Sequence, residues 1–473
     1  MAGARRGPVL RRGAALLSLL LVLAACTGGG SGSGDRGGGG DGGPVQAAGQ
    51  DVPGTIVVAS GRDVTGKNGI RQQLIDAWNL REQRAGSQFQ ARLVELPGSA
   101  DEQRSQLLGA LQSGSADYDV VNLDVTWVPE FAEAGLIREL PEDLVDRDVI
   151  PSVAGTARWD GKVYAAPFNS DVGLLYYRRD YLDRAGVERP DPRDGLTWQQ
   201  LQHLVDALDA RLDRDAYSSG WTTQLAAYEG RTVNAVEAFA SAVEDFALVD
   251  EDGHYTGTVA ELTEGIAELG RRTAPAYTLE DAARSDEATS LSDFTEGRTA
   301  FLRHWPYVYP ALFQTFTEEQ LGVAPLPGKA VLGGQNLGVA EASPRPGKAA
   351  DLIRFLTGRQ SERCLLEAGF AATRTSAYED GERCTAVTVA PSRSATGEGA
   401  DPVPRDKGGR PLYAATILKE ALRDAVQRPR TPLYGAFTQT LTTQLGPLLR
   451  NGRPGNEVLA RRLDAALRKA LPG

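Results

Sequence analysis

The chain has 473 residues, 41% hydrophobic, 24% charged and 7% aromatic, the balance of an ordinary globular protein long enough for two domains. A formal net charge of −11 and a pI of about 5.1 disfavour a nucleic-acid partner, which needs a basic face. The three histidines (His203, His254, His304) are scattered without zinc-ligand spacing and read as surface or packing residues, so no metal and no cofactor are expected.

The first element is an export signal over 1–25. Arg5, Arg6, Arg11 and Arg12 precede an apolar run from Ala14 to Ala25, and small residues lead up to Cys26. The run falls short of the ~20 residues a membrane-spanning helix needs. Leu23-Ala24-Ala25-Cys26 resembles the lipobox of bacterial lipoproteins. That resemblance implies cleavage before Cys26, a diacylglycerol on its sulfur and acylation of the new amino terminus. Several acyl chains hold a protein on a membrane where one binds only marginally. From Thr27 to Gly43 the chain is mostly glycine with interspersed polar residues, and cannot bury enough surface to offset its ordering entropy. As a flexible coil, 26–54 spans about 30 Å, a tether for a body on the outer face of the cell membrane.

The body begins near Thr55. Thr55-Ile56-Val57-Val58-Ala59 reads as a strand, followed by a loop over 61–69. Ile70, Leu74, Ile75 and Trp78 recur at helical spacing. Phe89 to Leu96 alternates like a strand and stops at Pro97-Gly98. Asp101 to Leu111 is helical, with Leu107, Leu108 and Leu111 on one side, and Tyr118 to Leu123 is an apolar strand ending at Asp124. Strand–helix–strand units of this length imply an α/β fold with a parallel sheet covered by helices. Ligands in such sheets sit beyond the carboxyl ends of the strands.

The first loop nearly spells a phosphate-binding P-loop, Gly61-Arg62-Asp63-Val64-Thr65-Gly66-Lys67-Asn68. The motif needs Ser or Thr after the lysine to hold magnesium, and Asn68 stands there. Asp63 would also put a carboxylate inside the phosphate cradle. The loop is expected to present polar side chains to an uncharged ligand.

The middle of the chain is the most specific. Asp160-Gly161-Lys162-Val163-Tyr164-Ala165-Ala166-Pro167, Asn169-Ser170-Asp171 and Leu175-Tyr176-Tyr177-Arg178-Arg179-Asp180 together resemble the extracellular sugar-binding proteins of ABC importers. Further matches follow in that family's order. They are Gln224 to Gly230, Phe294 to Phe301 running on into Trp305-Pro306-Tyr307, Leu332-Gly333-Gly334-Gln335-Asn336-Leu337-Gly338-Val339, and Thr373 to Tyr378. The resemblance covers nearly all of 55–473, and is nearest to the actinobacterial binding proteins for trehalose, maltose and related α-glucosides. It implies a two-lobed type II periplasmic-binding-protein fold, with lobes at 55–166 plus 297–343 and 167–296 plus 344–473. It further implies a hinged ligand cleft, a membrane permease as partner and no enzymatic activity. A monomer is expected.

The residue types suit a sugar independently. Pyranosides present flat apolar faces and rings of hydroxyls, which call for aromatic platforms, amides and carboxylates. Candidate platforms are Trp305, Tyr307, Trp127 and Trp221, whereas Trp78 reads as core. Candidate hydroxyl partners are Asp63, Gln103, Asp124, Asn169, Asp171, Glu229, Asn336, Arg428 and Arg430, with Gly334 in the glycine pair beside them. Two alternatives stay open: a same-fold binding protein for a polyamine, peptide, iron or anion, and a tethered glycoside hydrolase with paired carboxylates. Past Cys26, only Cys364 and Cys384 remain; in an exported protein such a pair reads as a disulfide candidate, although separation alone does not bring the sulfurs together. Ala349 to Leu366 reads as one helical stretch.

Overall fold

The computed structural model describes residues 51–61, 69–187, 192–213, 217–379, 381, 383–389, 401–449 and 453–473. The signal, Cys26, the tether through residue 50 and Asp63 lie outside the described residues. Two sheets use nine strands. In chain order these are β1 (Gly54–Gly61), β2 (Phe89–Leu96), β3 (Val120–Asp124), β4 (Ala166–Val172), β5 (Leu174–Arg178), β6 (Ser219–Thr222), β7 (Thr299–His304), β8 (Leu321–Pro325) and β9 (Leu332–Val339).

The first sheet has the order β2-β1-β3-β9-β4, with β1 parallel to β2 and β3, and β9 antiparallel to both its neighbours. Ile56, Val57, Val58 and Ala59 are all buried, as in a strand covered on both faces. Helix α1 (Ile70–Arg84) buries Ile70, Leu74, Ile75 and Trp78 against it. Helix α2 (Ala100–Gln112) starts at Ser99 with a reciprocal capping box to Glu102. The second sheet has the order β8-β5-β7-β6, with β5 antiparallel to both its neighbours and β6 parallel to β7.

Further helices are α3 (Glu229–Ala242), α4 (Val259–Arg272), α5 (Pro346–Leu356), α6 (Arg359–Glu367), α7 (Tyr434–Leu445) and α8 (Asn456–Ala470). A large core joins Phe239 of α3, Leu262 and Ile266 of α4, Phe437 and Leu441 of α7 and Leu463 and Leu467 of α8. It continues to Leu107, Leu123 and Phe131 on the first sheet's side.

Strand pairing redraws the lobes read from sequence. Of the segment 297–343 given to the first lobe, β7 and β8 belong to the second sheet and only β9 returns to the first. Conversely, α5 and α6, given to the second lobe, pack Leu352, Ile353 and Leu365 on Ile56, Val58 and Val339 of the first. Family spacing orders the segments but does not say which sheet each strand completes. The single helix expected over 349–366 is broken at Thr357-Gly358, where Gly358 takes an extended conformation and caps α6.

The chain crosses between the sheets at Gly173, which links β4 directly to β5, and again between β8 and β9. A third segment lies against this second crossing, Val426 pairing with Val331 through backbone bonds to Ala330 and Leu332. A Cβ on Gly173 would stand 2.4 Å from Glu237 Oε1 and 3.0 Å from Arg303 Nη2, so the crossing needs glycine for close approach. Cys364 and Cys384 are bonded, S–S 2.04 Å, tying the segment after Tyr378 to α6.

Candidate functional site

Polar side chains converge where the carboxyl ends of β3 and β4 meet the crossing segments. Asp124 ends β3, and its Oδ1 accepts from Thr126 N–H at 2.9 Å and from Arg428 Nη2 at 2.9 Å. Arg428 Nη1 donates to Glu229 Oε1 at 2.7 Å. Glu229 opens α3 and is further held by the Tyr434 hydroxyl on Oε1 and by Thr438 Oγ1 on Oε2 at 2.8 Å. Asp124, Glu229 and Arg428, separate candidates in the sequence, thus form one network joining β3, α3 and the third crossing segment. Burial pushes the Glu229 carboxyl up, opposed by Arg428.

Asp171 lies near the end of β4. Its Oδ1 is buried and has no hydrogen-bond partner among the described residues. Burial raises its pKa to about 7, against the attraction of Arg71, Arg303 and Arg428 and with the repulsion of Asp124. Trp305, directly after β7, is half-buried and stands across Gly333 from it. A Cβ on Gly333 would be 3.2 Å from both Asp171 Cβ and the Trp305 ring. Behind Trp305 are Val233, Val236, Val331 and Val426. Tyr307 is half-buried and meets His304 edge-on, ring centroids 5.5 Å apart. An unpaired carboxylate oxygen beside an indole, ringed by charged groups, can accept from a ligand hydroxyl while an apolar ligand face packs on the ring.

Several sequence candidates are employed elsewhere. Trp127 is 6% exposed and part of the large core. Trp221 is 3% exposed, and its Nε1 donates to the Arg272 carbonyl at 2.9 Å, so it offers no platform. Asn336 is fully buried, with Nδ2 donating to Thr156 Oγ1 at 3.0 Å and to the Thr156 carbonyl at 3.1 Å. Asn169 is 2% exposed, and its Oδ1 accepts from Arg71 Nη2 at 3.2 Å. Gln103 folds back on its own loop, donating to the Gly98 carbonyl at 2.9 Å. Gly334 has φ +118°, and a Cβ there would stand 2.4 Å from the Asn169 carbonyl oxygen; glycine serves strand approach at this position. Arg430 turns away from the Asp124–Glu229 network and donates from Nη2 to the Arg158 carbonyl.

Sequence reasoning missed Arg71, Gln335, Arg303 and Glu237. Arg71 Nη2 donates to Gln335 Oε1 at 2.6 Å, and Asn122 Nδ2 donates to the same oxygen at 2.8 Å. Arg71 sits four and seven residues before Ile75 and Trp78, so an arginine on the buried stripe of α1 was the available signal. Arg303 and Glu237 form an ion pair at 2.6 Å, their side chains 1% and 2% exposed. His254 sits with exposed Asp250 and Asp252, ligand atoms within 4.8 Å of one another. Hydrogen bonds within that turn, from Asp252 N–H and His254 N–H to Asp250 Oδ1, account for the grouping.

Comparison with known proteins fits this architecture. The pattern of the bacterial extracellular solute-binding proteins matches residues 84–390. A probable ABC transporter-binding protein of Deinococcus radiodurans is 30% identical over 311 residues, covering 63% of this chain and 72% of the relative. Among solved structures, maltose-bound MalE3 of T. maritima superposes with a TM-score of 0.69 at 22% identity, covering 88% of this chain and 99% of that one. The GacH receptor of Streptomyces glaucescens, described unliganded and with acarbose, gives 0.68 at 21% identity, covering 89% and 99%. The chain belongs to the bacterial extracellular solute-binding proteins, with their two-lobed type II fold. The family is one of solute-binding proteins. No helix among the described residues is long and apolar enough to cross a membrane.

Proposed function

We propose that this protein is the ligand-binding component of an ABC sugar importer, taking a neutral α-glucoside of the trehalose or maltose type between its lobes. One observation carries the reading: Asp171, with its unpaired Oδ1, and the half-buried Trp305 flank Gly333 at the crossing segments. Asp124 and Arg428, which act on Asp171 electrostatically, together with Glu229 and Tyr307 would be further contacts. Maltose and acarbose bound by similarly folded proteins support the ligand class. Lobe closure about Gly173 and the segments around 326–331 and 426–430 would present the liganded shape to the permease. Cys26, lipidated and tethered through 27–54, would keep the protein at the outer face of the membrane as a monomer.

Thermal-shift screening against maltose, trehalose and longer α-glucosides tests this. A ligand at 100 times its dissociation constant adds about 2.7 kcal/mol of stability. Stabilisation by one of these sugars, confirmed by calorimetry, is the expected result. A panel with no response, alongside a response to a polyamine or peptide, would overturn the sugar reading.

A further inference from the structure

Away from the Asp171–Trp305 pair the surface holds an open cavity of about 780 Å3. Its walls come from the hairpin of 158–163, the second half of α3, the 246–252 loop and the third crossing segment. Asp171 and Trp305 do not line it. Val236 and Val426 do, and both belong to the apolar cluster on which Trp305 packs, so these valines stand between the two spaces.

The charges lining this cavity are unequally employed. Arg158 is paired with Glu142 at 2.6 Å, and Arg428 with Asp124 and Glu229. Arg430 makes no ion pair among the described residues, and its Nε is buried without an acceptor. Burial alone lowers its pKa. A half-buried guanidinium without a counter-charge is a place where an anionic group gains. The acids behave oppositely. Asp160, Glu251 and Asp252 are exposed at the cavity, while Asp250 is engaged by the 252–254 turn. Half-buried Trp159 and Phe246 supply apolar surface beside them.

An anion alone would have to pass the acidic mouth, and a cation alone would leave Arg430 uncompensated. A molecule carrying both charges answers both. We propose that this cavity is a second ligand site for a small zwitterion, its anionic group on Arg430, its ammonium among Asp160, Glu251 and Asp252, and an aliphatic body against Trp159 and Phe246. The inference stands apart from the sugar reading, because it uses neither Asp171 nor Trp305.

Three probes of one length separate the charge patterns: 6-aminohexanoate, hexanoate and hexylamine, titrated into the purified protein and followed by ligand-observed NMR. Binding of 6-aminohexanoate at least tenfold tighter than either single-charge compound is expected. Arg430→Gln should weaken it tenfold or more. The surface pair Glu251→Gln/Asp252→Asn, which places no buried group at risk, should weaken 6-aminohexanoate and spare hexanoate. Asp171→Ala should leave 6-aminohexanoate binding unchanged whatever it does to sugar, so the two sites fail separately. The site is refuted if none of the three probes binds, if hexanoate matches 6-aminohexanoate, or if binding survives Arg430→Gln.

Discussion

The guanidinium carbon of Arg303 lies 3.8 Å from the centroid of the Trp305 indole, while its Nη2 donates to Glu237 Oε1 at 2.6 Å. A cation over an aromatic face is attracted to it, and here the cation is itself fixed by a buried carboxylate. From the backbone side, Trp305 N–H donates to His304 Nδ1 at 2.9 Å. Burial lowers the His304 pKa to about 3, so the ring is neutral, with Nδ1 as acceptor and Nε2–H facing the Glu287 carbonyl at 3.1 Å. The indole is therefore held before any ligand arrives, which lowers the ordering cost of binding.

Removing either member of the cleft pair should weaken sugar binding. Asp171→Ala deletes a charge-assisted contact and Trp305→Ala an apolar platform, each costing about 1.5–3 kcal/mol. That corresponds to a roughly 10- to 100-fold loss of affinity by calorimetry. Unchanged affinity in both variants, with normal folding, would place the ligand elsewhere.

Sugar affinity should depend on pH through Asp171. Its pKa of about 7 in the ligand-free protein lies above the ordinary carboxylate value of ~3.9. Between those values the folded state holds a proton that the unfolded chain has released, so this group makes ligand-free stability fall as pH rises through the window. A hydroxyl donating to the carboxylate favours the ionised form, so affinity should fall as pH drops below about 7. Calorimetry at pH 5.5 and 8 reads this, and Asp171→Asn should flatten the profile; an equally steep profile in the variant rules Asp171 out as its source.

The legible parts of the chain were those governed by local pattern. The β1–α1–β2–α2–β3 order follows from apolar periodicity, and the loops at the strand ends follow from parallel pairing. Asp124, Glu229 and Arg428 were each legible as polar residues in matching segments, but their union was not, since it depends on three distant segments meeting. Asn336 stands among the candidate hydroxyl partners and Gln335 does not. A bulge between Gln335 and Asn336 and the alternation of β9 put the glutamine on the Arg71 cluster and the asparagine on Thr156. Trp127 and Trp221 are set apart from Trp305 by tertiary burial, which no local pattern records.

Cys26→Ser tests the anchor. The body should fold and bind as before, since Cys26 lies well ahead of β1, but the protein should move from the membrane fraction into the medium. Blotting of the two fractions decides it, and retention of the variant with membranes at the parent level would remove lipidation from the account.

The bond between Cys364 and Cys384 closes a loop of sequence separation 20. In the chain-entropy model a loop of this size contributes about 3 kcal/mol. The Cys364→Ala/Cys384→Ala variant should lose about that much in denaturant unfolding while keeping its sugar affinity, because neither cysteine reaches the cleft. Equal stability of variant and parent would show that the loop is already confined in the unfolded chain.

Arg428 carries the largest stability prediction. Its side chain is 2% exposed and stands between Asp124 and Glu229, which are 19% and 11% exposed. Arg428→Met would leave both carboxylates facing one another without a cation, and breaking a buried pair from one side costs about 3–5 kcal/mol. Adding Glu229→Gln should restore much of that loss, because a neutral amide can still meet the Tyr434 and Thr438 hydroxyls that now hold Glu229. The coupling between the two substitutions, read as a double-mutant cycle in urea, should be strongly non-additive. Additive losses would mean that Arg428 and Glu229 contribute independently, and that the network is a set of neighbours without mutual support.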